Sequence, residues 1–231
     1  LPNMALAAML FIASPIAFTQ TLEEVVVTAQ IREQSLQDVP ISISAISGED
    51  IADRSVDNLQ SLSASVPNFM VVETQIDTSI SIRGVRSGAN KGFEQSVPMN
   101  FDGISYPRSQ LARTPLVDLE RVEVLRGPQP TLFGKNAIGG VVNVTSAKPT
   151  EEFEGKFSTS HESEHGEDQS LLVLSGALSE NLLGRITVST REMDGWITNQ
   201  KMKRLEPQRD ETYIRGQLAW TSGDVDYNLK V

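Results

Sequence analysis

Two stretches of the chain carry residue types that do chemistry in other proteins. His161-Glu162-Ser163-Glu164-His165 has the spacing H-E-x-x-H. On a helix that spacing puts two imidazoles on one face, able to hold zinc with the glutamate as base. The flanking residues point to another conformation, because strand-like Phe157-Ser158-Thr159-Ser160 leads in and Gly166 closes the segment. In an extended strand residues i and i+4 stand about 13 Å apart, too far to share a metal. The chain has only these 2 histidines, so no third imidazole is available. The expectation is a polar surface loop; a helix over 161–165 and a further ligand would restore a zinc hydrolase. The second stretch, Arg126 to Gly140 (RGPQPTLFGKNAIGG), has the Gly134-Lys135 pair of a phosphate-binding loop. That loop also needs a glycine five residues before Gly134 and Ser or Thr after the lysine. Gln129 and Asn136 occupy those positions, so no nucleotide site is expected.

The elements that hold these stretches follow from pattern and composition. A net charge of -10 argues against nucleic acid, since little would displace phosphate counterions. With no cysteine there is no disulfide framework and no thiolate metal site. Met4 to Ala13 is an apolar run of ten residues, too short for a helix that needs about 20 to span a bilayer. Residues 1–19 therefore read as the remnant of a secretory signal, with a buried hydrophobic helix as the other possibility. Residues 20–30 contain the β-branched run TLEEVVVTAQ, followed by a polar linker ending in Asp38-Val39-Pro40. Over 43–66 the periodicity turns helical: Ser47 is placed to cap, with Asp50 three residues on, and Ile51, Val56, Leu59 and Leu62 supply apolar faces for two short helices. Short strands follow at Phe69–Glu73, Ser79–Arg83, Met99–Phe101, Arg121–Leu125 and Val141–Val144. Turns are expected at Ser87-Gly88, Asp102-Gly103, Gly127-Pro128 and Gly139-Gly140. Residues 31–149 thus read as a small mixed α/β domain.

From 150 to 231 the period changes to two. Leu182, Gly184, Ile186, Val188 and Thr190 alternate with Leu183, Arg185, Thr187 and Ser189. The same phase recurs in 213–221 (Ile214, Gly216, Leu218, Trp220) and in 225–231 (Val225, Tyr227, Leu229, Val231), with related patterns at 153–161 and 170–178. Any half-buried antiparallel sheet alternates this way, so a soluble sandwich also satisfies it. Loop lengths favour a barrel. A long loop, HESEHGED, precedes a short one at 179–181, and a long one at 194–211 precedes a short one at 222–224, as in barrels with short periplasmic turns and longer outer loops. About five strands are expected, too few to close.

Residues 117–149, VDLERVEVLRGPQPTLFGKNAIGGVVNVTSAKP, resemble the end of the plug domain of TonB-dependent outer-membrane receptors. The shared features are the strand ERVEVLRGP, the Leu132-Phe133-Gly134 segment, the glycine pair and the strand VVNV. Pro130 departs from the more usual glycine. Upstream, Glu23 to Ala29 (EEVVVTA) resembles the TonB box, Asp38 to Ser47 the first plug strand, and Ser81 to Val85 (SIRGV) the family's I-R-G motif. Val97 to Arg108 resembles a further plug segment, with Phe101 and Ser105 in place of the usual aromatics.

The resemblance implies an α+β plug followed by antiparallel transmembrane strands of an incomplete barrel of about 22 strands, in the outer membrane of a Gram-negative cell. It implies active uptake of a scarce large substrate, with no catalytic residue, metal or cofactor. The implied partners are TonB with its inner-membrane motor, outer-membrane lipid and an unknown substrate. TonB would bind Glu24, Val25, Val26, Val27, Thr28 and Ala29, adding a strand through main-chain hydrogen bonds. Arg83 and Arg126 would pair with glutamates of the barrel wall beyond residue 231, or within the plug. Gly84, Gly127, Pro128, Gly134, Gly139 and Gly140 would build the plug turns. Gln75, Ser87, Asn90, Phe93, Tyr106 and Arg108 are the candidates for facing substrate. An iron-siderophore is the family default, with vitamin B12, carbohydrate and aromatic breakdown products open. A soluble β-rich binding or adhesion protein is the alternative of another class.

Overall fold

The computed structural model describes residues 26–27, 34–35, 40–73, 78–88, 92, 94–164, 166–223 and 225–231. The expectations for the signal remnant, for Glu24, Val25, Thr28 and Ala29, and for Gln75, Asn90, Phe93 and His165 lie outside the described residues. The first described pieces are β1 (Val26–Val27) and β2 (Gln34–Ser35), paired antiparallel with Val26 opposite Ser35.

A mixed sheet follows. Its strands are β3 (Ser42–Ser47), β6 (Met99–Phe101), β7 (Ile104–Tyr106), β8 (Leu119–Arg126) and β9 (Gly140–Ser146), in the order β3-β8-β9-β6-β7. Only the β6–β9 pair is parallel. A separate hairpin, β4 (Phe69–Glu73) and β5 (Thr78–Ile82), packs beside it. Helices α1 (Gly48–Asp53) and α2 (Leu59–Ser63) cover the core, with a 3-10 turn at Ser109–Arg113 and a single helical turn α3 (Pro130–Phe133). Ser47 caps α1 as its spacing predicts: the Asp50 amide donates to Ser47 Oγ at 3.0 Å, and that hydroxyl donates to the Asp50 carboxylate at 2.9 Å. Asn58 does the same for α2, its side-chain oxygen accepting from the Ser61 amide at 2.8 Å.

The alternation of β8 and β9 sorts this domain's core. Val122, Val124, Val142 and Val144 point to one face and join Ile51, Leu59, Leu62, Phe69, Ile80 and Ile82. Leu125 and Val141 point to the other, with Ile43 and Phe133. Each such side chain contributes about 1.5–3 kcal/mol by leaving water. Asp102-Gly103 closes the β6–β7 hairpin with φ of 50° and 82°, the two left-handed residues that a two-residue hairpin turn prefers. Ser87-Gly88, expected as a turn, is an irregular segment. Its geometry is set by Ser87 Oγ, which meets Ser96 Oγ at 2.8 Å and accepts from the Ser96 amide at 2.7 Å.

The remaining strands form an antiparallel meander: β10 (Glu154–Glu162), β11 (Glu167–Ser179), β12 (Leu182–Met193), β15 (Arg209–Ser222) and β16 (Val225–Lys230). Between β12 and β15 the chain makes a small hairpin, β13 (Ile197–Asn199) with β14 (Arg204–Glu206). The strands are longer than the periodicity alone marks out, and one loop is corrected. HESEHGED is not a long loop: β10 runs through His161 and Glu162, which pair with Asp168 and Glu167, so four positions at most separate the two strands. His161 therefore sits on a strand, its Nδ1 2.8 Å from the Asp168 carboxylate. The helix that zinc-protease chemistry requires does not form over 161–164. No helix among the described residues is long and apolar enough to cross a membrane, which says nothing of strands.

Candidate functional site where the two sheets meet

Val117 and Asp118 lead into β8, and Asp118 adopts φ 54°, a left-handed conformation that aspartate tolerates better than most residues. The bend turns both its carbonyl and its carboxylate toward the meander. The Asp118 carbonyl accepts from the Ala147 amide at 3.1 Å and from Arg215 Nη2 at 2.5 Å. Its Oδ1 accepts from Arg185 Nη2 at 2.5 Å. Its Oδ2 accepts from Arg185 Nε and Arg215 Nη2, both at 2.9 Å, and from the Thr187 hydroxyl. Asp118 and Arg215 side chains are each 5% exposed and Arg185 is 10% exposed. Burial pushes the Asp118 carboxyl up, but hydrogen bonds from Arg185 and Thr187 and the charges of Arg185 and Arg215 hold it below the usual carboxylate value. The two-pronged Arg185 contact fixes geometry as well as charge.

Register extends this contact into a row. Arg185 on β12 lies opposite Gln217 on β15, and Gln217 lies opposite Lys230 on β16. All three reach consecutive residues of the mixed-sheet domain. Arg185 Nη1 donates to the Lys148 carbonyl at 3.3 Å, Gln217 Nε2 to the Ala147 carbonyl at 3.0 Å, and Lys230 Nζ to Ser146 Oγ at 3.0 Å. Lys230 also pairs with Asp102 at 2.9 Å. Farther along the same strands, Arg191 pairs with Asp57 at 2.6 Å and Arg209 with Glu73 at 3.4 Å. In every one of these pairs the acid comes from the mixed-sheet domain and the base from the meander.

The outer face of the meander is the reverse of a soluble sheet. Thr187, Ser189, Arg215 and Gln217 are buried against the domain, while Ile214 is 63%, Leu229 58% and Trp220 49% exposed. Trp220 stacks on its register partner Tyr227 with centroids 5.1 Å apart, next to the short turn after Ser222. Polar-in, apolar-out alternation with aromatics near the strand ends is what a lipid-facing barrel wall requires. The model of the TonB-dependent receptor plug domain matches residues 35–141.

The chain belongs to the TonB-dependent receptors. It is 35% identical over 189 residues to the iron-regulated outer membrane virulence protein of Vibrio cholerae, covering 76% of this chain and 28% of that protein. It is 33% identical over 156 residues to the vitamin B12 transporter of Vibrio vulnificus, covering 62% of this chain and 25% of that one. Among solved structures, the ferric yersiniabactin uptake receptor from Yersinia pestis superposes with a TM-score of 0.71 at 25% identity, over 80% of this chain and 29% of that chain. The chain thus spans between a quarter and a third of the length of these relatives. Its fold is that of the family: an α+β plug seated against antiparallel strands of a barrel wall.

The structure places the plug arginines together, far from Asp118. Arg83 follows β5 at φ 51° and is exposed. Its Nη1 lies 3.9 Å from where a Cβ on Gly127 would sit. Arg126 ends β8, the opposite end of that strand from Asp118, and donates to the carbonyls of Pro67 and Ile43, each at 3.4 Å. Gly84, Gly127, Gly134 and Gly140 have positive φ, and Pro128 follows Gly127 between β8 and α3. At Gly140 the requirement is also steric, since a Cβ would overlap the Leu125 carbonyl oxygen of the neighbouring strand. A Cβ at Gly139 would come within 3.0 Å of Val97. Of the described substrate candidates, Ser87 ties off the base of its loop, Tyr106 ends β7 half-buried, and Arg108 is exposed. Asp118 itself escaped selection by sequence, although it lies inside the plug motif. The available signal was the inward phase of Arg185, Arg215 and Lys230, three cations on successive strands in need of an acid.

Proposed function

We propose that this chain is part of a receptor for TonB-dependent active uptake across the Gram-negative outer membrane, its plug stopping a barrel that lets a scarce large substrate through. The observation that carries this reading is the inside-out meander with a folded plug against its polar face. A β-rich soluble binder or adhesin would not leave Ile214, Trp220 and Leu229 in water. An iron-siderophore complex is the substrate class we favour. Its support is the iron-regulated Vibrio cholerae relative and the ferric yersiniabactin receptor, set against the vitamin B12 transporter.

TonB, driven by its inner-membrane motor, would grip Glu24 to Ala29. The extended backbone at Val26–Val27 supports a strand-addition handle. Arg83 and Arg126 would face wall glutamates supplied by later strands. The plug glycines and Pro128 would shape the turns, and Ser87, Tyr106 and Arg108, with Gln75, Asn90 and Phe93, would line the substrate side. The test is uptake of radiolabelled iron-siderophore by cells carrying the full-length receptor, with and without TonB. Uptake should require TonB, and Val27→Pro should abolish it while Val27→Ala spares it, because proline removes a main-chain donor. TonB-independent uptake, or normal uptake by the proline variant, would refute the reading.

A further inference from the structure

We propose that Asp118 is the positioning residue that keeps the plug seated and the lumen shut while TonB is not pulling, a role that rests on the uptake reading above. The other plug–wall ion pairs are more exposed or use one donor to one acid. Arg209 with Glu73 is 25% and 19% exposed at 3.4 Å, and the Lys230 side chain is 33% exposed. Water and salt weaken pairs of that kind. Asp118 instead gathers Arg185, Thr187 and Arg215 from two adjacent wall strands into one carboxylate and one carbonyl, almost wholly out of water.

Charge asymmetry makes the carboxylate the decisive member. Two guanidiniums meet one carboxylate, and among the described residues the further acid is Glu154, exposed and 3.6 Å from Arg185. Neutralising Asp118 therefore leaves two buried cations facing a neutral plug, which favours separation. Losing one arginine still leaves the carboxylate a partner. The contact is also built to part without excessive cost. Arg215 Nε and Gln217 Oε1 are buried with no hydrogen-bond partner among the described residues, so lumen water would satisfy them once the plug moves away. Asp118 thus holds firmly at rest and releases under a sustained pull.

The test uses the full-length receptor in its outer membrane and two readouts that do not need the substrate. The first is exclusion of a bulky hydrophilic antibiotic that crosses only an open barrel, measured in cells lacking TonB. The second is hydrogen exchange of the purified receptor at residues 116–119 and 146–148. Asp118→Asn should raise the unseated fraction about a hundredfold, seen as antibiotic sensitivity and faster exchange at those amides, with β12 and β15 unchanged. Arg215→Gln should give a smaller rise in both. If Asp118→Asn does not assemble, Arg215→Gln is read alone by the same measures. Wild-type exclusion and exchange in the assembled variants would overturn the proposal. Failure of the uptake reading shows differently, as a wild-type receptor whose uptake ignores TonB while Asp118→Asn still leaks.

Discussion

The plug and the wall strands are built from similar residues sorted in opposite directions. In the plug, Val122, Val124, Val142 and Val144 are wholly buried, and the charged residues mostly lie outward. In the wall, Arg215 and Gln217 are buried and Ile214 and Leu218 exposed. The difference lies in the solvent. The plug must bury its apolar groups from water, while the wall has hydrocarbon outside and must bring its polar groups inward. Where the two meet, the ion pairs run one way: the plug offers acids and carbonyls and the wall offers donors. A polar joint of this kind can part and re-form, which a fused hydrophobic core could not do without partial unfolding.

That contrast can be broken deliberately. The largest effect should come from Val142→Asp, which puts an unpaired carboxylate in the plug core at about 3–5 kcal/mol. Limited proteolysis should find the plug digested while the wall strands stay protected. Next, Ile214→Arg places on the lipid side the same side chain that its neighbour Arg215 carries inward. It should cost the barrel about 2–4 kcal/mol near the bilayer midplane, measured by denaturant unfolding in lipid vesicles. An equal tolerance of arginine at 214 and 215 would contradict the inside-out reading. Smaller still is Gly103→Ala in the β6–β7 turn. Its φ is 82° with nothing within 4 Å of an added Cβ, so only backbone strain of about 1–2 kcal/mol applies. A thermal scan of the plug should show that modest loss.

The gentlest perturbation is pH. Asp118 is held below the usual carboxylate value of about 3.9, so its contribution is fully present above that value. It is lost only as pH falls through the lowered folded pKa. The groups facing it are Arg185 and Thr187 of β12 and Arg215 of β15. Exchange protection at 116–119 should therefore be flat from neutrality to about pH 5 and fall only below about pH 4. A loss of protection between pH 7 and 5 would point to another group.

Much of this was legible in the chain because period and turn chemistry are local. Ser47 with Asp50 announced a helix start, Asp102-Gly103 a turn, and the two-residue alternation from 182 onward a sheet with two unlike faces. The error at HESEHGED has a physical reason: beyond the membrane both faces of a barrel strand meet water, so polarity no longer separates strand from loop. Asp118 could not be picked from its neighbours because its importance depends on residues 67 and 97 positions later.

The sequence by itself determined the family, through the plug motif at 117–149, and the sorting of the later strands into one polar and one apolar face, through alternation. Only the tertiary structure decided which charges meet. The wall register sets Arg185, Gln217 and Lys230 in one row, and the left-handed bend at Asp118 turns a carboxylate toward it. Alternation says which side chains share a face; docking turns that face inward, and register chooses what each side chain finds there.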